Sequence, residues 1–145
     1  DTGHLDFCKN ILEKYPDKIV LPIDFITSEK QIKNIDEMTD EDLGYDIGPE
    51  TIKIFQNYLK EAKRVVINGP MGIFEDEYFA KGTKAIYEIL KQNNIKTLIG
   101  GGDSAASVNL LGYTNDFYHI STGGGATLEY LSGTLLPGID IIEDK

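Results

Sequence analysis

The sequence has little cysteine, little arginine and no long apolar run. Its one cysteine, Cys8, excludes an internal disulfide framework and favours a reducing compartment, the cytoplasm. Cys8 falls on the apolar side of a helical pattern, which predicts a buried small side chain and not a nucleophile. No apolar stretch approaches the length of a membrane span, and no signal peptide opens the chain. We therefore expect a soluble protein that has no membrane partner.

Basic residues are outnumbered. The chain has 24 acidic residues against 14 basic ones, a formal net charge of −10. This balance argues against nucleic acid as a partner, because phosphate backbones are held by patches of lysine and arginine. The single arginine is Arg64, and no lysine or arginine lies between Lys96 and Lys145. A kinase built on this chain would therefore need basic residues that lie elsewhere, because phosphoryl transfer usually requires them.

An initiator methionine is also absent. Both methionines, Met38 and Met71, are internal, and the first residues already look like a helix cap. We expect a fragment of a longer polypeptide. The 145 residues, 41% of them hydrophobic, suit one compact domain.

The first part of the chain shows mixed periodicity. Apolar residues at helical spacing predict a helix near residues 4–15. Residues 18–27 (KIVLPIDFIT) predict a strand that Pro22 interrupts or ends. Residues 29–46 are polar and acidic and predict a surface excursion with little core. A second helix is predicted over residues 48–62 (GPETIKIFQNYLKEA), because Pro49 suits its first turn and apolar residues share one face.

From residue 64 onwards, a pattern of strand, glycine-rich turn and helix occurs three times. The strands are RVVING (64–69), KTLIG (96–100) and FYHIST (117–122). This order predicts a parallel α/β sheet with crossover helices. Ligands bind at the carboxyl ends of such strands, and helix N-termini there attract phosphate. Glycine allows a ligand to reach the backbone N–H groups, so the three turns are interpreted as a phosphate cradle.

Each turn alone also has a structural explanation. Asp103 could be a helix N-cap, and Asn68 and Gly69 could be plain turn formers. Glu75 could be an acid in the first turn of a helix, or it could hold ribose hydroxyls. Asp103 could instead supply a hard oxygen ligand for Mg²⁺. His4 and His119 lack metal-ligand spacing, so both are interpreted as structural. Two glycine triplets in one small domain favour the functional interpretation.

Two familiar nucleotide motifs do not fit well. A P-loop sequence is absent. Gly100, Gly102 and Ala105 satisfy a loose dinucleotide fingerprint, but His119 and its neighbours occupy the place of the ribose-binding acid about 20 residues later. This argues against a nicotinamide oxidoreductase, which stays open as an alternative. A second alternative is a non-catalytic nucleotide-binding module.

With these motifs placed, the sequence resembles the phosphoglycerate kinase family over essentially its whole length. The resemblance rests on LPIDF, LGYDIGPET, VINGPMGIFE, KGTKAIYE, IGGGDSAA, HISTGGGATLEYLSG and LPGID, in that order. It implies an α/β fold, a three-layer, Rossmann-like nucleotide-binding domain around a parallel sheet, incomplete in this chain. Residues 1–145 would be part of a C-terminal nucleotide-binding domain, and the N-terminal substrate domain would be absent.

The resemblance also implies an activity, the transfer of phosphate between 1,3-bisphosphoglycerate and Mg-ADP to give 3-phosphoglycerate and ATP in glycolysis. The parent enzyme would be a monomer. The resemblance further implies roles for individual residues. Gly44 and Tyr45 would line the adenine pocket with Gly69 and Phe74 nearby, and Glu75 would hold the ribose hydroxyls. The phosphates would be met by Gly101, Gly102, Asp103 and Ser104, with Asp103 towards Mg²⁺, and the transferring phosphoryl group would receive N–H groups from Gly123, Gly124 and Gly125.

The sequence departs from the family pattern in three respects. Ile67 replaces a common tryptophan, and Ser104 replaces a common threonine while keeping the hydroxyl. The family's basic substrate site and its phosphate-binding lysines have no counterpart in these residues. We therefore expect the chain alone to be catalytically inactive, and a mixture with the missing portion to recover turnover.

Overall fold

The computed structural model describes residues 3–142 of the chain. Six helices and six strands are present in this range, together with one 3₁₀ turn at Ile35–Glu37. The helices are α1 (Leu5–Lys14), α2 (Pro49–Lys60), α3 (Lys81–Gln92), α4 (Gly102–Leu110), α5 (Gly124–Leu131) and α6 (Pro137–Asp140). The strands are β1 (Asp24–Thr27), β2 (Ile32–Asn34), β3 (Gly44–Ile47), β4 (Arg64–Asn68), β5 (Lys96–Gly100) and β6 (His119–Ser121).

The main sheet is parallel and has the order β4–β5–β6. Its register pairs Ile67 with Ile99, and Leu98 with His119. The crossover helices α3 and α4 connect the three strands, as the repeated strand–turn–helix pattern predicts. All three strands therefore end at the same edge of the sheet, and each is followed by one of the glycine turns. The predicted α/β class is confirmed.

The core lies on one face of this sheet. Ile67 and Ile99 point towards α3 and α4, where they pack with Ile86, Leu90 and Val108. The alternating residue Val66 points to the other face and is 46% exposed. One face of the sheet is therefore well covered and the other only partly covered.

A second, smaller sheet corrects two predictions. Its order is β2–β1–β3, and both pairings are antiparallel. The polar stretch 29–46 is therefore more than a surface excursion, because it contains β2 and most of β3. The strand predicted over residues 18–27 begins only at Asp24, after Pro22, which cannot donate a ladder hydrogen bond.

Helix α1 forms where the periodicity predicts it, but the predicted burial of Cys8 is wrong. The Cys8 side chain is exposed. Leu5 and Phe7 on the same helix are also more than half exposed. An amphipathic pattern predicts which face is apolar, whereas burial also requires a neighbouring surface to cover it.

None of the helices within residues 3–142 is long and apolar enough to cross a lipid bilayer.

Candidate functional site

The three glycine turns meet at the carboxyl edge of the main sheet. The backbone N–H of Gly101 donates to the carbonyl oxygen of Ser121 over 3.0 Å, which joins the turn after β5 to the end of β6. The backbone N–H of Gly69 donates to Oγ of Ser104 over 2.6 Å, which joins the turn after β4 to α4. These two hydrogen bonds fix three separate segments against one another.

Close backbone approach explains why glycine occupies two of these positions. A Cβ added at Gly124 would lie 2.8 Å from Cα of Gly101, so the two turns contact each other through bare backbone. Gly101 itself has a φ of +101°, a conformation that other residues rarely adopt. The packing of the turns therefore requires glycine at both positions. The same lack of side chains leaves this edge of the sheet open to a ligand.

Helix α4 presents unpaired backbone donors at this edge. Gly101 is its N-cap, and the first intrahelical hydrogen bond runs from Ala105 N–H to the Gly101 carbonyl oxygen over 2.9 Å. The N–H groups of the preceding first-turn residues, Gly102, Asp103 and Ser104, have no helical acceptor, as at any helix N-terminus. Together with the positive end of the helix dipole, they form a suitable environment for an anion.

Helix α5 presents a second N-terminus nearby, beginning at Gly124. The N–H of Gly123 donates to Oγ of Ser121 over 3.3 Å, and that of Gly124 donates to the Thr122 carbonyl oxygen over 3.2 Å. These bonds are long, and the N–H of Gly125 lies in the first turn without a helical acceptor. All three glycines of the second triplet thus lie at a helix start beside the first triplet.

Ser104 and Asp103 are adjacent but have different environments. The Ser104 side chain is fully buried, and its hydroxyl oxygen accepts the hydrogen bond from Gly69. Asp103 is an exposed acidic residue in the first turn of α4. The hydroxyl of Ser104 thus holds the turns together, whereas the Asp103 carboxylate is free to meet an external group.

The side chains at this edge could supply only some of the ligands that a metal ion needs. Within the described residues, no group of three or more His, Cys, Asp or Glu side chains could hold a metal ion by itself. Mg²⁺ in nucleotide sites takes one or two carboxylates and completes its shell with phosphate oxygens and waters. A single exposed carboxylate, Asp103, beside an anion site fits that requirement.

A second group of predicted site residues lies on β3 and the turn after β4. The N–H of Ile73 donates to the Tyr45 carbonyl oxygen over 2.9 Å, immediately before Phe74 and Glu75. The ring of Tyr45 packs edge-on against that of Phe79, with 5.1 Å between centroids. Gly44, next to Tyr45, is exposed, and so is the Glu75 carboxylate. The structure therefore brings the residues predicted for adenine and ribose to the same place.

One turn connects the two groups. The turn after β4 begins at Gly69, which is bonded to Ser104, and continues to Phe74 and Glu75, which lie beside β3. It is held midway by Met71, whose N–H donates to Oγ1 of Thr83 over 3.0 Å. The glycine turns and the Tyr45 group are thus linked by a single anchored segment.

Asp46 adjoins Tyr45 on β3 and is not among the residues that the sequence predicts for the site. It is 2% exposed, its Oδ2 accepts the N–H of Gly82 over 2.7 Å and its Oδ1 accepts the N–H of Ile47 over 2.9 Å. Burial raises the pKa of this carboxyl to about 6, against the opposing effect of the hydrogen bonds and of Lys81. The hydrogen bond to Gly82 cannot be predicted from the sequence, because Gly82 lies 36 residues away from Asp46.

Asn68 is a second residue for which the sequence predicts less than the structure shows, since it is interpreted from the sequence only as a turn former. A Cβ added at Gly101 would lie 2.9 Å from Oδ1 of Asn68, and one added at Gly124 would lie 3.4 Å from it. The amide group therefore lies beside both glycine turns. Its place as the last residue of β4, directly before Gly69, is the signal that points to it.

Two basic residues of the main sheet lie away from the glycine turns. Arg64 and Lys96 are paired neighbours at the amino ends of β4 and β5, at the edge opposite the glycine turns. At the first turns of α4 and α5, backbone N–H groups and helix dipoles supply positive potential.

Comparison with known proteins decides the family. The family model described as phosphoglycerate kinase matches residues 1–134 of the chain. The chain belongs to the phosphoglycerate kinase family. A phosphoglycerate kinase of Finegoldia magna is 45% identical over 155 residues, and one of Pseudothermotoga lettingae is 49% identical over 156 residues. Both alignments cover 100% of this chain and 39% of the relative. The chain thus spans about two-fifths of the length of these phosphoglycerate kinases.

Solved structures of phosphoglycerate kinases have the same fold. The structure from Coxiella burnetii matches with a TM-score of 0.87 and 33% identity, covering 97% of this chain and 39% of that one. The structure from Pyrococcus horikoshii OT3 matches with a TM-score of 0.81 and 31% identity, covering 94% and 35%. The resemblance to the phosphoglycerate kinase family that the motifs indicate is confirmed.

Proposed function

We propose that this chain forms the ADP/ATP site of a glycolytic phosphotransferase that interconverts 1,3-bisphosphoglycerate and Mg-ADP with 3-phosphoglycerate and ATP. Membership of the phosphoglycerate kinase family supports this reaction. The observation that carries the proposal is the meeting of the glycine turns, where Gly124 leaves no room for a side chain beside Gly101. Such a surface of bare backbone suits phosphate groups.

At the phosphate end, backbone N–H groups do the binding. The first turn of α4, with Gly101, Gly102, Asp103 and Ser104, receives the nucleotide phosphates. Gly123, Gly124 and Gly125 at the start of α5 face the transferring phosphoryl group. Fixed donors of this kind stabilise the charge of a phosphoryl group in transfer without having to reorganise.

At the nucleoside end, Gly44 and Tyr45 line the adenine pocket with Gly69 and Phe74 nearby. The exposed Glu75 carboxylate accepts hydrogen bonds from the ribose hydroxyls. The hydrogen bond from Ile73 to Tyr45 supports this assignment, because it joins β3 to the turn two residues before Glu75.

Asp103 would hold Mg²⁺ together with the nucleotide phosphates. The ion, when bound, neutralises charge on the phosphate oxygens. Asp103 suits this role because it is exposed and lies in the first turn of α4, beside the proposed phosphate site.

In the reaction, an oxygen of the ADP β-phosphate attacks the acyl phosphate, the bond to the carboxyl oxygen breaks, and a carboxylate leaves. Residues 1–145 would be part of a C-terminal nucleotide-binding domain, and the acceptor site and the phosphate-binding lysines would belong to other parts of the protein. The position of Arg64 and Lys96 at the opposite edge supports this division. The chain alone would then be inactive. We further propose a cytoplasmic, monomeric parent enzyme without nucleic-acid partners.

Two measurements test the proposal. Calorimetric titration of the chain with Mg-ADP is expected to show binding at a single site. Mixing the chain with the remaining portion of a phosphoglycerate kinase is expected to recover turnover. Binding without turnover at any concentration would favour the non-catalytic nucleotide-binding module, and no binding in either preparation would contradict the proposed site.

A further inference from the structure

Asp46 lies between two glycines on two different segments. Its Oδ2 accepts the N–H of Gly82 in the first turn of α3. A Cβ added at Gly72 would lie 2.5 Å from Oδ1 of Asp46, and one added at Gly82 would also collide with that oxygen. The carboxylate therefore contacts the turn after β4 directly and holds α3 by a charge-assisted hydrogen bond.

The segment that contacts Asp46, residues 72–79, is fixed within itself. The N–H of Asp76 donates to the Ile73 carbonyl oxygen over 3.2 Å, and the N–H of Phe79 donates to the Asp76 carbonyl oxygen over 3.0 Å. The side chain of Asp76 accepts the N–H of Tyr78 over 2.8 Å. Successive turns of this kind give the segment a defined shape. Its position depends on its contacts with β3 and on the hydrogen bond from the Tyr78 hydroxyl to the Lys30 carbonyl oxygen over 3.3 Å.

Four contacts tie this region to β3, two of them made by Tyr45 and two by Asp46. Tyr45, the preceding residue, accepts the N–H of Ile73 and packs its ring on Phe79. Asp46 itself touches Gly72 at the start of the segment and holds Gly82 just beyond its end. Both carboxylate oxygens accept N–H groups, from Gly82 and from Ile47. An amide in this place keeps only one acceptor oxygen, so one of the two N–H groups would face an NH2 group and lose its hydrogen bond.

We propose that Asp46 is a positioning residue that sets the distance between the nucleoside-binding groups of β3 and those of the segment 72–79. Gly44 and Tyr45 adjoin Asp46 on β3, and Phe74 and Glu75 lie on the segment. The inference rests on the proposed nucleotide site, but it concerns only the nucleoside end. The glycine turns that receive the phosphates are held by other bonds, between Gly69 and Ser104 and between Gly101 and Ser121.

Asp24 provides a matched control. It is also 2% exposed, and its carboxylate accepts the N–H of Glu50 over 3.0 Å and that of Thr51 over 2.7 Å at the start of α2. Like Asp46, it is a buried carboxylate that accepts backbone N–H groups. It also accepts the Thr51 hydroxyl over 2.6 Å, and its side-chain partners belong to α2 and not to the segment 72–79. A general loss of stability should therefore follow from changing either residue, whereas loss of positioning should follow from changing Asp46 alone.

The test compares Asp46→Asn with Asp24→Asn at a temperature where circular dichroism shows both variants folded. Titrations use Mg-ADP and Mg-pyrophosphate, of which the second lacks a nucleoside. We expect Asp46→Asn to weaken Mg-ADP binding by about tenfold and Mg-pyrophosphate binding by less than about twofold. We expect Asp24→Asn to change neither by more than about twofold. Amide exchange at Ile73 should become faster in Asp46→Asn and not in Asp24→Asn.

Several results would overturn the inference. These are unchanged Mg-ADP binding by Asp46→Asn, equal weakening of Mg-ADP and Mg-pyrophosphate, the same losses in Asp24→Asn, or unchanged exchange at Ile73. Absence of Mg-ADP binding by the unaltered protein would overturn the proposed function, while faster exchange at Ile73 would still support the attachment by Asp46. If Asp46→Asn does not fold, Gly72→Ala replaces it, because its Cβ displaces the segment while the carboxylate is kept.

Discussion

The hydroxyl oxygen of Ser104 lies 2.6 Å from the backbone nitrogen of Gly69, although 35 residues separate the two along the chain. This bond joins the turn after β4 to the N-terminus of α4 and thereby fixes two of the three turns. The side chain is fully buried, so its role is to hold the edge of the sheet in shape. Substitutions at this position should therefore act on stability and on phosphate binding together.

Ser104→Ala removes the acceptor of the Gly69 N–H. We expect a loss of about 1–3 kcal/mol in the free energy of unfolding, because a partly buried donor is left unsatisfied. Binding of Mg-ADP should weaken as well. Urea unfolding and calorimetric titration measure the two effects. Ser104→Thr serves as the control, since it keeps the hydroxyl, and a loss equal to that of the alanine variant would argue against the hydrogen bond as the cause.

Gly124→Ala places a Cβ 2.8 Å from Cα of Gly101, a distance at which backbone must move. We expect destabilisation of about 1–3 kcal/mol, as for other overpacked sites, together with weaker binding of Mg-ADP. Thermal unfolding and titration measure these effects. Gly138→Ala is the control, because a Cβ there meets no atom within 4 Å. Normal nucleotide affinity in Gly124→Ala would show that the contact between the two turns does not shape the site.

Asp103→Asn tests the proposed magnesium ligand. The exposed carboxylate interacts favourably with the α4 dipole, so its loss should cost only about 0.3–1 kcal/mol of stability. The affinity for ADP in the presence of Mg²⁺ should fall, while the affinity in the presence of a chelator should change little. Titrations with and without Mg²⁺ measure the difference. Retention of the full effect of Mg²⁺ in the variant would exclude Asp103 as a ligand.

The buried carboxyl of Asp46 should leave a signature in the pH dependence of stability. Its pKa is raised to about 6 from a reference value of 3.8, so between these values the folded protein binds more protons than the unfolded chain. The contribution of Asp46 to stability therefore falls as the pH rises from about 4 to about 6, by an amount on the order of 2–3 kcal/mol.

Urea unfolding of the unaltered protein and of Asp46→Asn at several pH values between 4 and 7 isolates this effect. The stability of the unaltered protein relative to the variant should decrease across that interval and level off above it. A difference that stays constant, or that increases with pH, would mean that Asp46 titrates at an ordinary or lowered pKa in the folded protein.

The main sheet and the three glycine turns could be predicted from the sequence because their signals are local. Each strand is a short apolar run rich in β-branched residues, and each is followed at once by glycine and a helix. The carboxyl ends of parallel strands share one edge, so convergence of the turns followed from topology alone. Gly101 and Gly124 could be assigned to turns from their neighbours in the sequence alone.

The second sheet and the role of Asp46 could not be predicted in this way. Strands of three or four residues, such as β2 and β3, are too short for an alternating pattern to be distinguished from a polar loop. The function of Asp46 depends on Gly72 and Gly82, which only the tertiary fold brings to it. The error at Cys8 has the same origin, since burial of α1 depends on a neighbouring surface and not on its own periodicity.

Two-dimensional amide NMR spectra of the chain with and without Mg-ADP would show whether the glycine turns bind the phosphates of a nucleotide. We expect dispersed spectra in which Mg-ADP shifts the amides of Gly102, Asp103, Gly124 and Glu75 and leaves those of α1 unchanged. Dispersed spectra in which these amides stay in place at saturating Mg-ADP would contradict this binding.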